Sequence, residues 1–331
     1  MMARRGVALT PMETRRDVIV RAAVLAEELG YEAFAVPEGW GLDSTPLIAE
    51  IALRTSRIRL VSGVLSVWGR TPATLAMTAA TLQQVCEGRY VLGLGASTRA
   101  LAEGFHDTPF ERPAAKLRDV VTEVRSLLAG EPVSLRRVPG ARPLRLSPPP
   151  PSEVPVWVAA LGPRSIRVAA ELGDGYIPAL IARDQLRSRA EQVKRLREAS
   201  VVSKLALTVA AGPIAAVDDN PDVARTLVAA CTAWYLSAMG GVYAESLSGQ
   251  GYTAEVDAVL AANQRPNPRR ATIPPAALPL LDQLAAYGTA DQVRKQVGLW
   301  DEAADLVSVL LVPGLPWPTI EATLAAAAPP V

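Results

Sequence analysis

The stretch RYVLGLGAST, residues 89–98, decides how the rest of the chain is read. A short apolar run ends in Gly-Leu-Gly and passes into small polar residues. Two glycines after a strand suggest the phosphate loop of a dinucleotide-binding fold. That fingerprint needs a third glycine at fixed spacing and a long helix that starts on it. The third glycine is missing, and residues 99–103 do not open a long phosphate-capped helix. The stretch also stands fourth, not first, in a series of strand–helix units.

That series runs along the whole chain. Short uninterrupted apolar runs predict strands at 6–10, 32–37, 57–65, 89–95, 154–161, 174–180, 204–212 and 306–314. Apolar residues at helical spacing predict helices between them, at 15–30, 45–56, 71–88, 111–130, 162–173, 183–200 and 289–303. Thr45-Pro46 and Thr71-Pro72 read as a cap followed by a first-turn proline. Strands without alternation are those buried on both faces, as in parallel sheets. Eight such units in one chain give the fold class α/β, a (β/α)8 TIM-like barrel with insertions. A doubly wound sheet is the alternative. The expected organisation is a single domain over 1–331. The Pro-rich segment 131–153 is a surface excursion, and a helical insertion covers about 221–288.

Composition narrows the function classes. The 331 residues carry 34 Lys plus Arg against 33 Asp plus Glu, a net charge of +1. No basic excess points to nucleic acid. The pairs Arg15-Arg16, Arg136-Arg137 and Arg269-Arg270 read as solvated surface. Half the residues are hydrophobic but only 5% are aromatic, so the core is aliphatic. Cys86 and Cys231 stand far apart, outside any CxxC pattern, which implies neither a disulfide framework nor a zinc site. Together with the lack of a signal-like apolar run near the first residues, this predicts a cytoplasmic protein. No run approaches the ~20 apolar residues of a membrane helix. A single histidine, His106, leaves no His-rich metal site.

The segment RIRLVSGVLSVWGRTPATLAMTAATLQQVCEGRYVLGLGAS resembles the bacterial-luciferase-like flavin and deazaflavin oxidoreductases. GFHDTPFERPAAKLRD, VPVWVAALGPRSIRVAAELGDGYI, MGGVYAESLSGQGY and YGTADQVRKQV match in order and spacing, so the likeness covers nearly the whole chain. The resemblance implies a TIM-like barrel that binds coenzyme F420, or alternatively FMN, at the C-terminal ends of its strands. It further implies an F420H2-dependent reductase acting on C=C or C=N of a small-molecule or peptide substrate, with dehydroamino-acid reduction in a natural product as the specific expectation. An FMN-dependent monooxygenase is the alternative within the class, and a non-catalytic ligand-binding barrel the alternative outside it. Relatives commonly dimerise, so a homodimer is expected.

The resemblance also implies site residues. In relatives the strand end matching Gly63-Val64 carries a bulge, often a cis peptide, against the cofactor ring; Ser66, before Val67, marks the alternative position. Gly93, Gly95 and Ala96 are expected to let the strand approach the cofactor. The turn Leu161, Gly162, Pro163, Arg164 and Ser165 opens a helix whose free amides make an anion site, and in relatives it lies near the cofactor phosphate. Glu38 matches an acid that relatives follow with histidine; here Gly39 and Trp40 follow. Glu38 is therefore either the acid or a strand-end hydrogen-bonding group, and Trp40 walls the pocket or packs under a loop. Thr98 falls where sugar-phosphate-oxidising relatives place an acid, and its hydroxyl does not titrate near neutrality. Ser97 and Thr98 are candidate hydroxyl contacts to cofactor or substrate, or plain turn residues. Trp68 and His106 are candidate pocket residues, His106 with a loop-building role favoured, and Arg70 is expected to anchor its loop.

Overall fold

The structure, a computed structural model, describes residues 4–135, 138, 140–200, 206–268 and 270–330. The pair Arg136-Arg137, Arg269 and the first two residues of the strand expected over 204–212 lie outside them. The strands are β1 (Arg5–Ala8), β2 (Ala33–Val36), β3 (Arg59–Ser62), β4 (Leu65–Ser66), β5 (Tyr90–Gly95), β6 (Val156–Ala159), β7 (Gly175–Ile177), β8 (Thr208–Ala211), β9 (Ile214–Val217), β10 (Ala285–Gly288) and β11 (Leu306–Leu311). The helices are α1 (Arg16–Glu28), α2 (Ser44–Ala52), α3 (Pro72–Val85), α4 (Arg99–Gly104), α5 (Pro113–Leu128), α6 (Pro163–Leu172) and α7 (Arg183–Glu198). They continue as α8 (Pro221–Ala238), α9 (Gly241–Leu247), α10 (Thr253–Ala262), α11 (Leu278–Leu284), α12 (Ala290–Gly298) and α13 (Trp317–Ala327).

Every strand pair is parallel, and the ring β1-β2-β3-β5-β6-β7-β8-β11 closes where β11 pairs back to β1, with Val7 opposite Val309. These are the eight strands that the sequence predicts, so the fold is the closed (β/α)8 barrel. Inward-facing Ala33, Val61, Val91, Trp157, Ala210 and Leu306 form their own buried cluster within it. Outward-facing side chains join the large cluster under the helices. Helix α5 shows why a helix forms there: Leu117, Val120, Val121, Val124 and Leu127 share one buried face.

Four local differences have physical causes. The strand expected over 57–65 is two pieces, β3 and β4, because the peptide between Gly63 and Val64 is cis. Helix α2 is capped by Asp43, whose carboxylate accepts the Thr45 N–H, and not by Thr45. The insertion is helical from Pro221 to Ala262, but the expected helical span 221–288 ends in the strand β10. Strand β9 was also unexpected. Gly212-Pro213 breaks the strand after β8, and β9 continues beside β11 with β10 on its outer edge.

The Pro-rich excursion holds no helix or strand among its described residues. Gln83, buried on α3, tethers its end by donating to Ser152 Oγ and to the Glu153 carbonyl. Among the described residues no single helix is long and apolar enough to cross a membrane. The bent pair formed by α8 and the helical run Gly241–Ala262 meets the length and composition test together, but its axis turns by 109°. The apolar side chains of α8, Val228 and Leu236 among them, pack into the core.

Both cysteines are free and buried. Burial pushes the Cys86 thiol up to about 11 and the Cys231 thiol up to about 12. At pH 8 roughly 0.1% of Cys86 is thiolate, the reactive form. The native protein is therefore expected to release no chromophore from a disulfide reagent such as DTNB over an hour, and to titrate two thiols once denatured. Fast reaction in the native state would contradict this packing.

Candidate active site

Two connected cavities open at the C-terminal ends of the barrel strands. The outer one is a groove of about 950 Å³ between the β5 and β6 ends, the start of α5 and the elbow before α9. The inner one, about 220 Å³, lies in the barrel mouth above Val61, Trp157 and Ala210. Val64, Ser97, Thr98, Ala159, Ala179 and Tyr243 line both, so they form the neck between them.

The neck exists because β3 and β5 approach closely. A Cβ on Gly93 would lie 1.9 Å from the Ser62 carbonyl oxygen, and one on Gly95 would lie 2.7 Å from Val64 Cγ2. The expected reason for these glycines, room for a cofactor, is thus corrected for Gly93. Its missing side chain makes room for the β3 backbone. The buried Ser62 hydroxyl locks the approach: it accepts the Gly93 N–H at 2.9 Å and the Tyr90 hydroxyl at 3.0 Å, and donates to the Gly93 carbonyl. Gly63 likewise touches Ala35 of β2, since its Cβ would sit 2.9 Å from Ala35 Cβ.

The outer groove carries an excess of positive charge, Arg99, Arg112 and Arg164 against Glu245. Gly162 caps α6, and Pro163 at the first position has no N–H, so the amides of Arg164 and Ser165 are the free donors of the first turn. The Ser165 hydroxyl donates back to the Gly162 carbonyl at 2.9 Å, and a Cβ on Gly162 would meet only Ser165 Oγ, at 4.0 Å. The turn therefore presents open backbone to the groove. Arg164 and Arg112 face it without an ion pair, while Arg99 pairs with Glu103. Arg112 was missed in the sequence. It is a left-handed cap of α5, at φ 47°, and nothing local marks it as a groove residue.

The inner pocket is mostly apolar. Leu9, Pro37, Trp40, Ile177, Leu180 and Met239 make much of its wall, and Trp40 is a half-exposed rim residue. Glu38 is its only ionisable lining residue apart from tyrosine. Both Glu38 oxygens accept from Arg70, at 2.5 and 2.8 Å, and Arg70 also reaches Asp43 at 3.0 Å. The hydrogen bonds to Glu38, followed by its charge and that of Asp43, outweigh burial and raise the Arg70 guanidinium above its ordinary value. Glu38 thus lies where the sequence placed an acid, but it is held in a fork.

The remaining candidates divide. Gly95, Ala96 and Leu161 line the outer groove, and Gly63 and Ser66 the inner pocket. The Ser66 hydroxyl accepts the Trp68 N–H at 3.2 Å. Ser97, at φ 56°, lies in the neck, and its hydroxyl makes no hydrogen bond among the described residues. Thr98 lines the neck as well, but its hydroxyl caps α4 by accepting the Leu101 N–H at 3.4 Å. Trp68 and His106, expected in the pocket, line neither cavity. The Trp68 indole donates to the Ala96 carbonyl at 2.7 Å, supporting the strand end from behind. His106 packs its ring on Gly69, where a Cβ would lie 2.7 Å from Cε1. Both are loop-building residues. Sequence reasoning also missed Tyr235, Met239 and Tyr243, which the insertion carries back over the mouth. No cluster of three or more His, Cys, Asp or Glu suited to a metal occurs among the described residues.

Comparison with known proteins agrees with the fold. A family model described as luciferase-like monooxygenase matches residues 1–305. The chain is 28% identical over 311 residues, 87% of its length and 88% of the relative's, to a Mycobacterium tuberculosis protein whose name assigns it, provisionally, to the coenzyme F420-dependent oxidoreductases. It is 26% identical over 335 residues to a Mycobacterium bovis phthiodiolone/phenolphthiodiolone dimycocerosates ketoreductase, covering 94% of this chain and 85% of that one. The coenzyme F420-dependent tetrahydromethanopterin reductase of Methanopyrus kandleri has the same fold. Its TM-score is 0.74, at 17% identity over 99% of this chain and 98% of that one.

Proposed function

The chain belongs to the luciferase-like monooxygenase family, and on that footing we propose that it is a reductase using reduced coenzyme F420 to deliver hydride to a C=C or C=N bond of an organic substrate. One observation carries the reading. A groove lined by more arginine than carboxylate, Arg112 and Arg164 without an ion pair against Glu245, runs through a neck into an apolar pocket floored by Trp157. A long anionic cofactor fits the first part and a neutral acceptor the second.

Bound there, the reduced deazaflavin supplies a hydride from its central ring carbon. The chain's own residues do the rest. The free amides of Arg164 and Ser165 bind the phosphate at the positive end of α6. Arg112 and Arg164 hold the carboxylates of the tail, a larger anionic load than the single phosphate of FMN. Val64 and Ala159, which narrow the neck, would hold the ring there. The apolar wall excludes water from the acceptor bond. The inner pocket admits a small molecule, or the dehydroamino-acid side chain of a modified peptide whose backbone stays in the groove.

Deazaflavin fluorescence quenching tests the cofactor. Micromolar binding that exceeds FMN binding is expected, and binding of neither would leave a ligand-binding barrel. The paired change Arg112→Ala with Arg164→Ala removes two charge-assisted contacts on an exposed rim. It should weaken deazaflavin binding about tenfold to a hundredfold at low salt, less at high salt. Unchanged affinity would move the tail elsewhere. The family's description favours one second reading, an FMN-dependent monooxygenase. Oxidation of the reduced deazaflavin by an organic acceptor without oxygen excludes it.

A further inference from the structure

The inner pocket has no free acid, base or histidine to hold a substrate or protonate it, because its one carboxylate is forked to Arg70. What it has is hydroxyls, and those of Ser66 and Thr98 are held in place by accepting backbone N–H groups, from Trp68 and Leu101. Two phenols are different. Tyr235 on α8 and Tyr243 on α9 face each other edge-on, ring centroids 5.4 Å apart at 85°. Both line the inner pocket, and Tyr243 also lines the groove, beside Val64 in the neck. Neither phenol oxygen has a hydrogen-bond partner, yet neither is among the fully enclosed unpartnered polar atoms. Both oxygens therefore keep some exposure, on side chains that line the inner pocket.

Their placement is built by the chain. Helices α8 and α9 meet at Gly240, at φ 106°, a conformation that favours glycine. The elbow rests on Thr98, since a Cβ on Gly240 would lie 3.2 Å from the Thr98 side chain. The insertion is thereby pinned to the end of β5, with Tyr243 over the neck. Burial raises both phenols above their ordinary value, Tyr235 more strongly, so both keep their protons at neutral pH. Of the pocket hydroxyls without a hydrogen-bond partner among the described residues, those of Ser97, Ser308, Tyr235 and Tyr243, a phenol is the more acidic kind.

We propose that Tyr243, braced by Tyr235, is the catalytic hydrogen-bond donor and proton source for a neutral, largely apolar substrate whose acceptor bond is an imine or is conjugated to a carbonyl. This rests on the reductase reading of the same site. Hydride adds to the electrophilic carbon and the π pair moves to the oxygen or nitrogen. That atom takes the proton from Tyr243 Oη, and water at the groove mouth returns a proton to the phenolate. Charge and size define the substrate class. A carboxylate or ammonium in the inner pocket would find no free counter-ion, so charged groups stay in the outer groove.

The test uses 4-dimethylaminocinnamaldehyde, a neutral apolar aldehyde whose absorption moves to the red when its carbonyl accepts a strong hydrogen bond. Wild type is expected to bind it with a red shift. Tyr243→Phe should lose that shift and bind about fivefold to tenfold more weakly, the equivalent of one hydrogen bond. Tyr235→Phe should keep most of the shift. Cofactor quenching and thermal unfolding, measured on each variant, should stay unchanged. A full shift in Tyr243→Phe, or wild type that binds without a shift or not at all, overturns the proposal. Failure of wild type to bind deazaflavin overturns the reductase reading instead and leaves the aldehyde result standing.

Discussion

Replacing Gly93 by alanine is expected to cost more than about 4 kcal/mol, a loss seen only where a substitution meets a specific obstacle. The added Cβ would lie 1.9 Å from the Ser62 carbonyl oxygen and 3.2 Å from Val64 Cγ1. The first obstacle is backbone, so no rotamer change relieves it. Relief means separating β3 from β5, which breaks the Ser62 hydroxyl network and the pairing of Leu60 with Tyr90. A domain stable by about 5–15 kcal/mol keeps little after that. The readout is soluble yield and thermal midpoint, with a drop of about 8 °C or more. Gly104→Ala is the control. It closes α4, has φ outside the left-handed region, and its Cβ would meet nothing within 4 Å. That change should be neutral or slightly stabilising. Equal behaviour of the two variants would mean that β3 and β5 are not so close.

The same glycine shows what could be read in advance. Strand identity was legible because buried parallel strands are continuous apolar runs, and eight of them separated by helices admit few arrangements. The meaning of a glycine within a strand was not legible, since the atom that excludes its Cβ belongs to another strand. Strands β9 and β10 escaped for a related reason. IAAV and AAYG are short, alanine-rich and pair with each other off the ring. Such segments carry no periodic signal. Segment 221–262 read as helix because its pattern is local.

In the site the division is similar. The turn after β6 was legible because Gly-Pro-Arg-Ser is itself a helix start. Residues that reach the cleft from elsewhere were not. Arg112 gets there through a left-handed cap, and Tyr243 because the insertion folds back onto Thr98. Trp68 was over-read, since an aromatic near a strand end faces the cleft or its underside according to a loop path that sequence does not fix, whereas His106 packs on Gly69 in the loop-building role favoured for it. Thr98 lines the neck, where its hydroxyl also accepts the Leu101 N–H as the cap of α4.

Arg70→Met is expected to destabilise the fold by about 3–5 kcal/mol, because it strips the counter-ion from a largely buried carboxylate. Glu38 side-chain exposure is 9% and that of Arg70 is 16%, and each Glu38 oxygen faces a guanidinium nitrogen. Methionine fills the volume and supplies no donor. Glu38→Gln should cost less, about 1–3 kcal/mol, since the amide oxygen still accepts one bond and Arg70 keeps Asp43. Acid should narrow the gap between Arg70→Met and wild type. Burial pushes the Asp43 carboxyl up, but hydrogen bonds from Thr45 together with the pull and hydrogen bond of Arg70 outweigh it, holding it below the ordinary carboxylate value. A carboxyl lowered on folding adds stability above its unfolded value and loses it as pH falls through the folded one. In Arg70→Met the Arg70 share of that contribution is already gone, so the midpoint difference from wild type should hold from neutrality down to about pH 4 and shrink as pH falls below it. Thermal unfolding of the two variants at two pH values therefore separates the roles of Glu38. A fork that shapes the pocket predicts that both variants lose stability, with Arg70→Met losing more. A carboxyl held free for proton transfer predicts that Glu38→Gln leaves the midpoint where it was.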